Sequence, residues 1–213
     1  MSTFPKHRLP VLAAAMALAL GLLAGCAGGT TGTAATVNGV DIPEKTITDY
    51  VQSLREAQGL TSNDEWESYL SESGQTDQSL RDRVVDIMVS REILRQGAKD
   101  LGISVSSAEV DEALAAKRKT YASDASWKEA LADAGLTEST YRQELELDLL
   151  SRKVTQAFAE NPTLGGDDTA GTEADTSGQD AEDIGADAAL DWLANLRAEA
   201  DITVNDAPSN LPY

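Results

Sequence analysis

The sequence predicts a mostly α-helical domain that is completed by a small β-pair, formed by strands near its N- and C-terminal ends. Three observations support this class. Apolar residues recur at three- and four-residue spacing through most of residues 44–158, as on one face of a helix. Short β-branched stretches at residues 35–42 and 202–204, near the two ends of the predicted domain, are typical of strands. Glycines stand where the helical repeats stop: Gly59, Gly102 and Gly135.

Residues 35–160 predict a hairpin followed by five or six helices. Asn38-Gly39 is a strong turn signal between two very short strands, and Pro43 suits the first position of the first helix. A side-chain oxygen that accepts a hydrogen bond from the first turn marks the start of a helix. Residues of this kind open four of the later helices: Asn63 or Asp64, Ser106 with Glu109, Asp124, and Thr137.

The composition changes after residue 160. Residues 161–189 contain many Asp and Glu among Gly, Ser, Thr and Ala, with no Lys or Arg, so we predict a disordered acidic linker there. Residues 190–205 predict a short helix with Trp192, followed by a strand. A two-stranded hairpin is marginal by itself, so this strand is expected to pair with the N-terminal strands and return the helix to the domain. Residues 206–213 form a tail.

The N-terminus has the parts of an export signal. Basic residues at 6–8 precede an apolar run at 11–23 that is too short for a typical membrane-spanning helix. The next residues, Leu23-Ala24-Gly25-Cys26, resemble the lipobox of bacterial lipoproteins. This resemblance implies that a lipoprotein signal peptidase recognises Leu23, Ala24 and Gly25 and removes residues 1–25. It also implies a covalent diacylglycerol on Cys26.

The expected product is anchored to a cell membrane by this lipid and faces the extracytoplasmic side, the periplasm or the cell surface. Two acyl chains are enough for lasting attachment, and the Gly/Thr-rich residues 26–34 are expected to be a flexible tether. Two alternative interpretations are an ordinary signal peptide and an anchor helix in which the cysteine is incidental.

Composition restricts the chemistry of the mature chain. The chain has one cysteine and one histidine, His7, so after removal of the signal we expect no disulfide, no imidazole-based catalysis and no typical zinc site. The net charge of −19 disfavours nucleic acid as a partner. There is no nucleotide-binding P-loop, and the acidic linker lacks a calcium-binding ligand ladder. We therefore expect no cofactor and no metal.

Several blocks of sequence resemble the chaperone module of SurA- and PrsA-type foldases, the SurA N-terminal-like domain. The blocks are residues 35–42 (ATVNGVDI), 98–103 (AKDLGI), 105–111 (VSSAEVD) and 127–142 (WKEALADAGLTESTYR). Residues 192–197 and 202–204 are similar to the helix and strand by which such proteins return to that module. A parvulin-type prolyl isomerase domain stands between these parts in the foldases. Here the acidic linker takes its place, so the resemblance implies the chaperone half without the isomerase half.

The resemblance implies ATP-independent binding of unfolded or exported polypeptides. We expect the largest apolar side chains near the surface to line the binding groove: Trp66, Tyr69, Met88, Trp127 and Tyr141. The competing interpretation is that they are core residues, since their spacing is that of a buried helix face. Two further functions stay open at this point, a non-catalytic module that binds one cell-envelope partner and a degenerate prolyl isomerase. The basic run at 117–119 is interpreted as the solvated face of a helix.

Overall fold

A computed structural model describes residues 32–161, 163–164, 181–209, 211 and 213. The predicted signal peptide and Cys26 lie outside the described residues. Within the described part the chain is mostly helical and carries one small antiparallel sheet, so the predicted fold class is confirmed. The elements are β1 (Thr33–Val37), β2 (Val40–Pro43), α1 (Glu44–Ala57), α2 (Asn63–Glu72), α3 (Asp77–Asp100), α4 (Ser107–Arg118), α5 (Asp124–Asp133), α6 (Glu138–Glu160), α7 (Ala181–Glu199) and β3 (Ile202–Val204).

The sheet joins the two ends of the domain. β1 lies in the centre, with β2 and β3 antiparallel on either side, so the predicted pairing of the N- and C-terminal strands is confirmed. Asn38 and Gly39 adopt positive φ angles of 49° and 81°, as a two-residue hairpin turn requires. The Asn38 side chain accepts a hydrogen bond of 2.8 Å from the backbone N–H of Asp201, which fixes the entry into β3.

Four predicted boundaries are shifted at the N-terminal ends of elements. β1 begins at Thr33, inside the predicted tether, because this residue pairs with Pro43 of β2. Pro43 ends β2 and is the N-cap of α1 instead of its first residue. The caps of α2 and α5 are Ser62 and Ser123, each one residue before the predicted acidic or amide cap. Their hydroxyls accept the N–H of the third helical residue, while the acids of the first turn face the positive helix end.

The helices enclose three hydrophobic cores. The first lies between the sheet and α1, α2 and α3, and it includes the fully buried Ile47 and Val51. The second joins the C-terminal halves of α3 and α6 to α7, where the rings of Phe158 and Trp192 are 5.3 Å apart. The third lies between α4, α5 and the start of α6 around Trp127. The 24-residue helix α3 contributes to both of the first two cores, so it is the central element.

The start of α7 corrects the predicted linker. The helix begins at Ala181, whereas the linker was expected to extend to residue 189. Small residues on one face allow this acidic stretch to pack. A Cβ atom on Gly185 would lie only 2.7 Å from backbone atoms of α6, and Ala189 is buried. Asp183 and Asp187 are exposed on the other side. The prediction of a linker rested on the many acidic residues and the scarcity of large apolar ones. It did not take account of this narrow face of small residues.

A buried ion pair connects α1, α3 and the C-terminal segment. The Arg81 guanidinium donates hydrogen bonds of 2.8 and 2.7 Å to the two carboxylate oxygens of Glu44, and both side chains are almost fully buried. It also donates to the backbone carbonyl of Asn205 at 3.2 Å. Tyr213 packs against the same core, and burial raises the pKa of its phenol to about 12. Residues that follow β3 therefore contact this ion pair and the first core, whereas residues 206–213 were predicted to form a tail.

Candidate functional site

A groove of about 570 Å³ lies between α1, α3 and the start of α6. Part of its surface is apolar, and the side chains that supply it come from α1, α3 and the turn between α5 and α6. Along its sides stand hydroxyl, amide and charged groups. The apolar lining comprises Tyr50, Leu54, Ala57, Met88, Ala134 and Leu136, and the polar lining comprises Thr46, Asp49, Ser53, Arg91, Arg95, Thr140, Gln143 and Glu144.

The width of the apolar face of α1 explains one side of the groove. Ile47 and Val51 are fully buried in the first core. Tyr50 and Leu54, one helical step to the side, pack only partly against that core and leave the rest of their surface in the groove. Met88 has the same position on α3, beside residues that are buried. The apolar face of each helix is wider than the part of it that is buried in the core, and the remaining part lines the groove.

Gly135 brings the α5–α6 turn against the end of α1. Its φ angle is +64°, in the left-handed region that glycine adopts without strain. A Cβ atom there would lie 2.4 Å from the carbonyl oxygen of Ser53 and 2.5 Å from the Cβ of Ala57. The close approach at this turn closes one end of the groove, and it depends on the absence of a side chain at position 135.

Arg91 crosses the groove from α3. Its guanidinium donates two hydrogen bonds of 2.7 and 2.8 Å to the carboxylate of Glu144 on α6. The same guanidinium lies 5.6 Å from the ring centroid of Tyr50 on α1. One cation therefore contacts the two helices that face each other across α3. Asp49 on the groove edge is paired in turn with Lys45.

Of the five residues predicted to line a groove, Met88 does so. The expectation that all five lie near the surface is wrong for Trp66 and Trp127, each of which is 1% exposed. Both indole rings are held in cores, and their N–H groups donate to Asp77 and Glu138 respectively. The competing interpretation, that these tryptophans are core residues, describes their positions.

Tyr69 and Tyr141 are partly buried beside the two tryptophans. The ring of Tyr69 stacks on Trp66 at 5.7 Å, and that of Tyr141 meets the edge of Trp127 at 5.1 Å. Neither tyrosine lines the groove between α1, α3 and α6. Tyr50 and Leu54 were not predicted to line a groove, although their spacing in the sequence places them on the apolar face of a helix. Leu136 carried no such signal, because its place depends on the approach of the α5–α6 turn to α1.

The basic run at 117–119 is partly engaged in ion pairs within the domain. Arg118 pairs with Asp124 at 3.0 Å and with Glu138 at 3.6 Å, which ties the end of α4 to the starts of α5 and α6. Lys117 and Lys119 are exposed. Among the described residues there is no group of three or more His, Cys, Asp or Glu side chains placed to hold a metal ion. In the same part of the chain, no helix has the length and apolar composition needed to cross a membrane.

Comparison with known proteins identifies the family. No curated protein matches the chain. The sequence profile of one family, described as the SurA-like N-terminal domain, matches residues 5–155. The match covers β1 to most of α6 and ends before α7 and β3, which complete the second core and the sheet in this structure. Because the match spans well over half of the chain, the protein belongs to the SurA-like N-terminal domain family, a family of chaperone type.

Proposed function

We propose that the protein is a membrane-anchored, ATP-independent chaperone-like lipoprotein that binds unfolded or exported polypeptides without isomerising prolyl bonds. The observation that carries this proposal is the groove between α1, α3 and α6, together with the family. The proposed occupant is one extended segment of an unfolded chain.

The lining of the groove suits such a segment. Tyr50, Leu54 and Met88 offer apolar surface to client side chains, and burial of that surface favours binding without regard to sequence. Thr140 and Gln143 offer hydrogen-bonding groups to a client main chain. Asp49 and Glu144 are both paired with cations, so an apolar client does not leave these carboxylates without a partner.

The sequence that connects α6 to α7 supports the part of the proposal that excludes isomerase activity. Residues 161–180 are too few and too polar to form the packed sheet of a parvulin domain. The sole histidine of the chain, His7, lies in the predicted signal peptide.

Replacing Met88 with Asp is expected to raise the concentration of protein needed for half-suppression of client aggregation about tenfold. The reason is that a charge on the apolar lining opposes burial of client surface, and a buried methionine side chain contributes about 1.5–3 kcal/mol. Light scattering of a denatured client diluted into buffer gives the measurement. Circular dichroism establishes that the variant is folded, and Leu136→Asp provides a second charge at another point of the lining.

Leu190→Asp is the matched control, because Leu190 is 62% exposed on α7 and does not line the groove. Equal loss in this control, or unchanged suppression in both groove variants, contradicts the assignment of the groove. Protection of several unrelated clients supports a chaperone. A single stoichiometric partner instead indicates an assembly module, and turnover of a prolyl peptide contradicts the isomerase-free proposal.

The proposed anchor is a diacylglycerol on Cys26, and its support is the sequence of residues 23–26. Replacing Cys26 with Ala is expected to abolish incorporation of labelled palmitate and to move the protein out of the membrane fraction, because the acyl chains supply the attachment. Thr31→Ala is the control that keeps the cysteine. Membrane retention and label in the Cys26 variant would contradict lipidation at this residue.

A further inference from the structure

One side of the groove belongs to a small lobe with a core of its own. This satellite lobe comprises residues 107–145, which are α4, α5 and the first part of α6. Its buried residues Leu114, Trp127 and Leu131 form a cluster that shares no member with the other two cores. Arg142 pairs with Asp111 inside the lobe. The lobe is therefore held together internally.

Three contacts between the satellite lobe and the rest of the domain bear on the groove. At its base, Lys153 on the later part of α6 pairs with Glu109 of α4 and donates to the carbonyl of Ser104 at 2.9 Å. At its far end, Gly135 packs on α1. Between them, the Arg91–Glu144 pair spans the groove. The Lys153 contacts and the continuation of α6 into the second core fix the base of the lobe, so a change in the width of the groove requires α6 to bend and the far end of the lobe to move.

The Arg91–Glu144 pair that spans the groove is partly exposed to solvent. The Arg91 side chain is 21% exposed and that of Glu144 is 40% exposed, so water and salt reach both charges. Two hydrogen bonds make it one of the stronger kinds of exposed pair, yet a pair that water and salt reach contributes less than a buried one and weakens as the salt concentration rises. At the far end of the lobe, the atoms nearest to Gly135 are the carbonyl oxygen of Ser53 and the backbone nitrogen and Cβ of Ala57.

We propose that Arg91 and Glu144 form a salt-sensitive latch that holds the satellite lobe against α1 and α3 and so sets the width of the groove. The inference rests on the proposed function insofar as the groove receives clients. With the latch closed, the guanidinium lies over Tyr50 and covers part of the apolar lining. With the latch open, the far end of the lobe moves outward and more of the Tyr50 ring becomes accessible to an extended polypeptide.

The test measures the position of the lobe without any client. In the full chain carrying Cys26→Ser, the introduced cysteines Gln52→Cys on α1 and Glu129→Cys on α5 are the only thiols, and both sites are exposed. Spin labels there report the distance distribution across the groove. We expect longer and broader distances at about 0.5 M NaCl than at about 0.05 M, where screening is weaker.

Substitutions separate the latch from general effects of salt. Arg91→Met and Glu144→Gln are each expected to give the long distances already at low salt, and the charge reversal Arg91→Glu with Glu144→Arg is expected to restore the short ones. Arg152→Met is the control, because it removes an ion pair with Asp148 within α6 that does not span the groove. Labels at Gln52 and Arg83, on α1 and α3, provide a pair that is expected not to move. Distances that are the same in all variants and at both salt concentrations overturn the latch.

Client kinetics then test the proposed function separately. Opening is expected to increase the association rate of an unfolded client about two- to fivefold in Glu144→Gln, the range that corresponds to loss of an exposed ion pair. Lengthened distances support the latch whatever the kinetics show. If they occur with no binding of clients in any variant, the proposed function fails while the latch stands.

Discussion

Replacement of Arg81 with Met is expected to lower the free energy of unfolding by about 3–5 kcal/mol, because it leaves the carboxylate of Glu44 buried without its counter-ion. Glu44 is 2% exposed and Arg81 is 1% exposed, so solvent cannot substitute for the missing guanidinium. The hydrogen bonds to Glu44 also raise the pKa of Arg81, as expected of a cation held in a tight pair. Urea unfolding followed by circular dichroism measures the change.

Two comparisons sharpen this experiment. The double variant Glu44→Gln with Arg81→Met removes both charges and is expected to recover part of the loss, because a neutral amide is less costly to bury than a carboxylate. Arg152→Met breaks an exposed pair with Asp148 on α6 and should change stability by less than about 1 kcal/mol. If Arg81→Met lowers the free energy of unfolding no more than Arg152→Met does, the Glu44 carboxylate is not buried in the way that the structure shows.

The second large effect is expected from Trp192. This side chain is 8% exposed, packs against Phe158 of α6 and faces Gly97 of α3, where any Cβ atom would meet its ring at 2.7 Å. Replacing it with Ala is expected to lower the free energy of unfolding by about 3–5 kcal/mol, the usual loss for a large aromatic side chain in a core.

The position of Trp192 also predicts where the loss appears. Since α7 precedes β3, loosening of the helix should expose the outer strand of the sheet, and hydrogen exchange should accelerate first in residues 181–204. Leu190→Ala is the matched control on the same helix, because Leu190 is 62% exposed, and its exchange should stay close to that of the unchanged protein. Faster exchange spread evenly over α1 to α6 would show that α7 is not a separately loosened element.

Local sequence determined most of the secondary structure. The Asn38-Gly39 turn, the cap at Thr137 and the capping box at Ser106 are where they were predicted, since each depends on residues a few positions apart. The pairing of β3 with the N-terminal strands was also predicted, although they are far apart in the chain, and the structure places β3 beside β1. It followed from a local argument, that the hairpin at the start needs a third strand.

The beginning of α7 was not determined by local signals in the same way. Residues 181–189 are acidic and lack large apolar side chains apart from Ile184, which is typical of a linker. They are helical because Gly185 and Ala189 fit against α6, and a fit of this kind exists only once α6 is in place. The buried partner of Arg81 likewise lies 37 residues away in sequence, on another helix.

The sequence by itself determined the helical class, the strands that join its ends and the caps of α4 and α6, because these follow from spacing and hydrogen bonding over short stretches. The tertiary structure decided the candidate site. It buried Trp66 and Trp127, left Tyr50 at the groove, and placed Arg91 opposite Glu144. An apolar helix face does not specify how much of its width a neighbouring helix covers. That division between core and groove arises only when the helices pack.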